Sequence, residues 1–204
     1  MASRLLVDND ILIKLAHWGL LDQLASSFDL DRSKVSALAS LQFRALRRDG
    51  KLFQTPAAAD ALAGYLSDTS EIPAGRPEDL SRLQGITNLD AGEIELVTAC
   101  LADPDALLIS GDKRAVIALA ELGPTDVANR LEGRVICLEQ LLRMIAGWSG
   151  SACVIEGVRV HRELDAALRS VVGPQGCTDA HFLEGMASYV SDLRRQTANL
   201  LHPG

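Results

Sequence analysis

Two short apolar runs constrain this chain more than any other feature: residues 5–7 (LLV) and 106–109 (ALLI). Each is too short and too continuously apolar for an amphipathic helix, so each reads as a strand buried on both faces. An aspartate follows closely on each, Asp8 or Asp112, and then a segment with helical spacing. In the first such segment Ile11, Leu12, Leu15 and Trp18 share a face, and Gly19 stops it. A weaker strand over 134–138 leads into a helix over 139–145. Strands alternating with helices require parallel pairing through helical crossovers. The expected fold is therefore α/β, a three-layer α/β/α sandwich with a central, mostly parallel sheet.

Between the two runs the pattern is helical. Val35, Leu38, Leu41 and Ala45 recur at three to four residues within 33–48, which predicts a helix ending near Gly50. Thr55-Pro56 and Arg76-Pro77-Glu78-Asp79 each carry a first-turn proline, and the second adds acids at the positive end of the helix dipole. These predict helices through Leu66 and up to Gly85. Helices over 91–101 and 113–122 flank the second apolar run. Gly147-Trp148-Ser149-Gly150-Ser151 marks a boundary, dividing a domain at 1–146 from a helical extension at 147–204. In the extension Val154, Val158, His161, Leu164, Leu168 and Val171 form one stripe. Phe182, Met186, Val190 or Tyr189, Leu193, Thr197 and Leu200 form another, and Gly173-Pro174-Gln175-Gly176 between them predicts a helical hairpin. Its expected role is packing on its own domain. A homodimer seam or a groove for a protein inhibitor, such as an antitoxin-like partner, is the alternative.

Acids sit where such a sheet gathers its sites, beyond the carboxyl ends of the strands. Each has a local structural use. Asp90-x-x-Glu93 is a capping box, Asp112 can cap the helix after it, and Asp8 or Asp10 can cap the first. Jointly they predict more, because Asp8 and Asp112 follow strands and Glu93 opens a helix beside them. Two like charges about 4 Å apart repel by roughly 4 kcal/mol at an effective dielectric near 20, so a converged cluster calls for a cation. Mg2+ or Mn2+ takes carboxylate oxygens and can activate a water for in-line phosphodiester displacement.

LLVDNDILIKLAHWGLLDQL, LDAGEIELVTACL and LLISGDKRAVIALAELG stand in the order and spacing of the conserved segments of PIN-domain proteins, which they resemble over roughly residues 4–140. The resemblance implies a compact α/β/α sandwich and a Mg2+/Mn2+-dependent nuclease site, usually cutting RNA. It implies Asp8, Glu93 and Asp112 as catalytic, metal-holding acids. Two residues after the first aspartate members commonly carry Asn or Ser, whereas this chain has Asp10, an added metal ligand or only a cap of the first helix. Ser110 occupies the place of a hydroxyl residue that often precedes the last aspartate. Lys113 and Arg114, beside Asp112, are placed to touch a substrate phosphate. Active members usually offer one further acid on an intervening helix, and here that place holds Gln42. A PIN-like binding or regulatory module that no longer cuts is therefore the second expectation.

Other constellations are weaker. Asp8-Asn9-Asp10 also fits the paired aspartates of haloacid-dehalogenase-like phosphatases, but no second aspartate follows Asp112 as their last motif needs. Arg44, Arg47, Arg48 and Lys51 would share a face if helical, either solvated or meeting RNA phosphates. Net charge of −7 argues against broad nucleic-acid coating, though a cluster of metal-binding acids itself adds negative charge. Cys100, Cys137, Cys153 and Cys177 form no CxxC pair and read as buried free thiols rather than zinc ligands or disulfides. No apolar run approaches a membrane span, and the first residues do not read as a signal peptide, so a soluble cytoplasmic protein is expected.

Overall fold

The computed structural model describes residues 2–121 and 126–204. The chain runs β1 (Arg4–Val7), α1 (Asn9–Trp18), α2 (Leu21–Ser26), β2 (Val35–Ala37), α3 (Ala39–Leu46), α4 (Pro56–Leu66), β3 (Ser70–Glu71), α5 (Pro77–Leu83) and α6 (Ala91–Ala102). It continues with β4 (Ala106–Ser110), α7 (Lys113–Glu121), α8 (Asp126–Leu131), β5 (Val135–Cys137), α9 (Leu138–Ser149), α10 (Ser151–Val160), α11 (Ala166–Val171) and α12 (Asp179–Gln196). Leu122, the expected end of the α7 helix, lies outside the described residues.

The five strands form one sheet in the order β3-β2-β1-β4-β5, and every pairing is parallel. Alternation along the strands sends neighbouring side chains to opposite faces. Leu5 and Val7 join one core with α1, α4, α9 and α10, whereas Leu6 joins another with α6 and α7. Ile109 and Ile136 face the first core, and Leu108 and Val135 face the second. Helices therefore cover both faces, giving the three layers that continuous apolar strands require.

Residues 147–204 share these cores. Val154, Val158, Leu168, Phe182 and Met186 lie fully buried in the first, and Val190, Leu193 and Leu200 pack in the second. After α12 the chain returns to the sheet. Val135 N–H donates to Leu200 O at 3.0 Å and His202 N–H to Val135 O at 2.7 Å, so this segment covers the outer edge of β5.

Four local expectations are corrected. The helix within 33–48 is a strand, β2, followed by the shorter α3. Leu38 breaks the run with extended backbone, and Arg48, at φ 49°, turns left-handed after the helix end. Arg44, Arg47, Arg48 and Lys51 therefore share no helical face. Arg44 pairs with Asp49, Arg48 with Asp60, and Arg47 stacks 3.9 Å from the Phe43 ring centroid. The first arm of the C-terminal hairpin is broken at His161, because Asp165 caps α11 through Ala167 and Leu168 N–H. Finally, all four cysteines are free, but Cys153 is exposed and Cys177 only half-buried.

Candidate functional site

In the order β3-β2-β1-β4-β5 the chain leaves β1 toward one edge and β4 toward the other. The crevice between these two strands is the topological switch point, where parallel sheets hold ligands at their carboxyl ends. The register pairs Val7 with Ile109, and Asp8 N–H donates to Ile109 O at 2.9 Å, so both acidic turns leave the sheet side by side. A cleft of about 620 Å³ opens there. Its lining includes the acids Asp8, Asp10, Asp90, Glu93 and Asp112 and the apolar side chains of Ile13, Leu38 and Leu52.

Asp8 is half-buried, and its side chain makes no cap hydrogen bond to α1. Burial pushes its carboxyl up to about 6, and the charges of Asp10 and, more weakly, Asp90 push the same way. The N–H groups of Asn9 and Asp10 oppose this, but no cation pairs with Asp8 among the described residues. Glu93 is raised first by burial, against the Asp90 N–H, then by the charges of Asp90, Asp112 and Asp8. The expected capping box is present: Glu93 N–H donates to Asp90 Oδ1 at 2.8 Å, and Asp90 N–H to Glu93 Oε2 at 2.7 Å. Asp112 spends Oδ1 on the N–H groups of Arg114 (2.8 Å) and Ala115 (3.3 Å), fixing the start of α7. In both Glu93 and Asp112 one carboxylate oxygen serves the helix and the other makes no hydrogen bond among the described residues.

The remaining sequence-predicted residues divide. Asp10 faces the cleft but binds Lys14, whose Nζ lies 2.7 Å from its Oδ2. Gly111 makes room for it, since a Cβ there would come within 2.7 Å of that oxygen. Ser110 is buried beneath the cleft, where its Oγ accepts the Asp112 N–H at 3.2 Å, so it shapes the turn. Lys113 turns away toward Glu139, at 2.5 Å. Arg114 lies on the cleft wall, largely exposed and 3.7 Å from Asp112. Gln42 is exposed on α3 and stands off the cleft lining.

Sequence reading missed three contributors. Asp90 was read only as a cap, although its charge acts on both Asp8 and Glu93. Asn9 lines the cleft with a buried Oδ1 that has no hydrogen-bond partner among the described residues. The apolar part of the lining joins residues from three separated segments and left no local signal.

Among the described residues no three His, Cys, Asp or Glu side chains are gathered closely enough to grip a metal ion as they stand. The chemistry of the cleft does suit a hard divalent cation: several carboxylates line it, and that of Asp8 is desolvated with no cationic partner among the described residues. Among the described residues no helix is long and apolar enough to cross a membrane. No family model matches the chain, and neither a curated protein nor a solved structure matches it.

Proposed function

We propose that this chain is a PIN-like, Mg2+/Mn2+-dependent ribonuclease. The observation that carries the reading is the meeting of Asp8, Glu93 and Asp112 in one cleft at the switch point, with Asp8 lacking a cationic partner. Those three carboxylates would hold the ion, with Asp10 adding charge beside them. A bound ion would supply an activated water and stabilise the oxygens of a phosphodiester displacement. Arg114, exposed at the rim, meets substrate phosphate, and Ile13, Leu38 and Leu52 give nucleobases an apolar surface.

The test is cleavage of RNA by the full chain with Mn2+ or Mg2+, compared with Asp8→Asn and Asp112→Asn. Each substitution is expected to lower the rate by about a hundredfold or more, the scale of losing one charge-stabilising group. Activity that survives both would place the cleavage outside this cleft.

A second reading is favoured by Gln42 and by the absence of a preformed ion-gripping trio among the described residues. In it the chain keeps the PIN-like fold but binds or regulates without cutting. Calorimetric titration with Mn2+ separates the two. Micromolar binding that disappears in Asp112→Asn supports the nuclease, and no heat supports the module. If the chain is toxin-like, an antitoxin-like inhibitor would be expected to cover this same cleft.

A further inference from the structure

Both turns that carry the cleft acids are fastened by a lysine to helices that follow the last strand. Lys14, in α1, is only 8% exposed, and its Nζ bridges Asp10 Oδ2 at 2.7 Å and Asp165 Oδ2 at 2.9 Å. Asp165 lies 151 residues further along the chain. Its other oxygen accepts the N–H groups of Ala167 (2.9 Å) and Leu168 (3.1 Å), so it is held rigidly at the start of α11. Lys113 directly follows Asp112. Its Nζ lies 2.5 Å from Oε1 of Glu139, which is 1% exposed in the first turn of α9, and 4.7 Å from the Tyr189 ring centroid on α12.

Desolvating the Lys14 ammonium or the Glu139 carboxylate is expensive, and hydrophobic side chains in place of either pair would often be neutral or better for stability. A pair with one ion buried that joins distant segments is better explained by the geometry it fixes. Here each lysine reaches from a cleft turn into a different part of the C-terminal helical layer. We infer that Lys14 and Lys113 are positioning residues, through which α9, α11 and α12 hold the Asp8–Asp10 and Asp112 turns in register across the cleft. The tethering is independent of what the cleft does; its consequence for metal binding rests on the function proposed above.

Two double substitutions isolate the effect on the full chain. Lys14→Met with Asp165→Asn removes one tether and leaves an Asn that can still cap α11. Lys113→Met with Glu139→Leu removes the other. Each keeps the parent's net charge and leaves no buried ion unpaired. Hydrogen exchange resolved by residue reports on Asp8 and Leu12 N–H at one turn, and on Asp112 and Val116 N–H at the other, all hydrogen-bonded in the parent. Each variant should raise exchange about tenfold at its own turn while the β1 and β4 amides keep their protection, a sub-global opening. Mn2+ affinity, read from the electron paramagnetic resonance of free Mn2+, should fall alongside by a similar factor.

Unchanged exchange at the turns of a folded variant would overturn the inference, as would a uniform rise across the sheet. Should either double variant not fold, Tyr189→Leu keeps both ion pairs and loosens only Lys113. It should raise exchange at Asp112 and leave Asp8 and Leu12 unchanged; any other pattern counts against the tethers. A parent that binds no Mn2+, with the local exchange pattern as expected, would sink the nuclease reading and leave the tethers standing.

Discussion

At position 8 the backbone is extended, φ −64° and ψ 145°, as at a helix N-cap, yet the carboxylate does not cap α1. It sits instead half-buried among like charges, which raises its pKa from 3.8 to about 6. The linkage has a definite sign. Between those two values the folded chain holds a proton at Asp8 that the unfolded chain has lost, so stability falls as pH rises from about 4 to 6 and stays lower above. The shift corresponds to roughly 3 kcal/mol at most, since each unit is worth about 1.4 kcal/mol. Asp8→Asn, which removes the charge but keeps the shape, is therefore expected to stabilise the metal-free chain at pH 7.5 and to match the parent near pH 3.5. Chemical denaturation at the two pH values reads this. Equal midpoint differences at both would mean that the charge at position 8 is not the destabilising element. On the proposed function, a bound cation would offset this penalty.

Helices and strands were legible in proportion to how local their causes are. Strands β1 and β4 stood out because a buried parallel strand needs a continuous apolar run. The box of Asp90 and Glu93 stood out because both partners lie within one turn. Strand β2 did not, because only three residues pair and the middle one is Ser36. Its fully buried hydroxyl is satisfied by Arg4 at 2.7 Å and the Glu71 carbonyl at 3.2 Å, contacts no pattern announces. Helix α8 was missed for the same reason: Arg130 forks onto the buried Asp79 at 2.8 and 2.9 Å from 51 residues away. The site followed this rule, since Asp8, Glu93 and Asp112 had local signatures and the Lys14–Asp165 bridge had none. The seam between α1 and α10 is another non-local feature. Trp18 Nε1 donates to His161 O at 3.1 Å across it, and Gly157 lies so close that a Cβ would clash with the Trp18 carbonyl oxygen, well inside van der Waals contact. Gly157→Ala must push α10 off α1 despite alanine's better helix propensity, a loss of about 1–3 kcal/mol expected for overpacking. A lower thermal midpoint checks this; an unchanged or higher one would mean the seam yields freely.

Across the whole molecule the helices after residue 147 complete the fold rather than decorate it. Val154, Val158, Leu168, Phe182 and Met186 are each fully buried in the core that also holds Leu5, Val7 and Ile109, where α10 and α12 pack on α9 and α10 packs on α1. Fully burying side chains of this size is worth about 1.5–3 kcal/mol each, so together they contribute on the order of 10 kcal/mol. That is comparable with the entire net stability of an ordinary domain, about 5–15 kcal/mol. The same helices hold Asp165 and Tyr189, the far ends of the contacts made by Lys14 and Lys113, and the segment after α12 closes the β5 edge. A chain ending at Gly147 would expose the apolar faces of α1 and α9 that α10 and α12 cover, and leave Lys14 with Asp10 alone. It is expected to lose cooperative thermal unfolding and native near-ultraviolet circular dichroism, and to associate through the uncovered faces. Light scattering on the full and shortened chains makes the comparison direct. A shortened chain that stays monomeric with a sharp transition would show that residues 1–147 close their own core, and that the C-terminal helices serve the cleft alone.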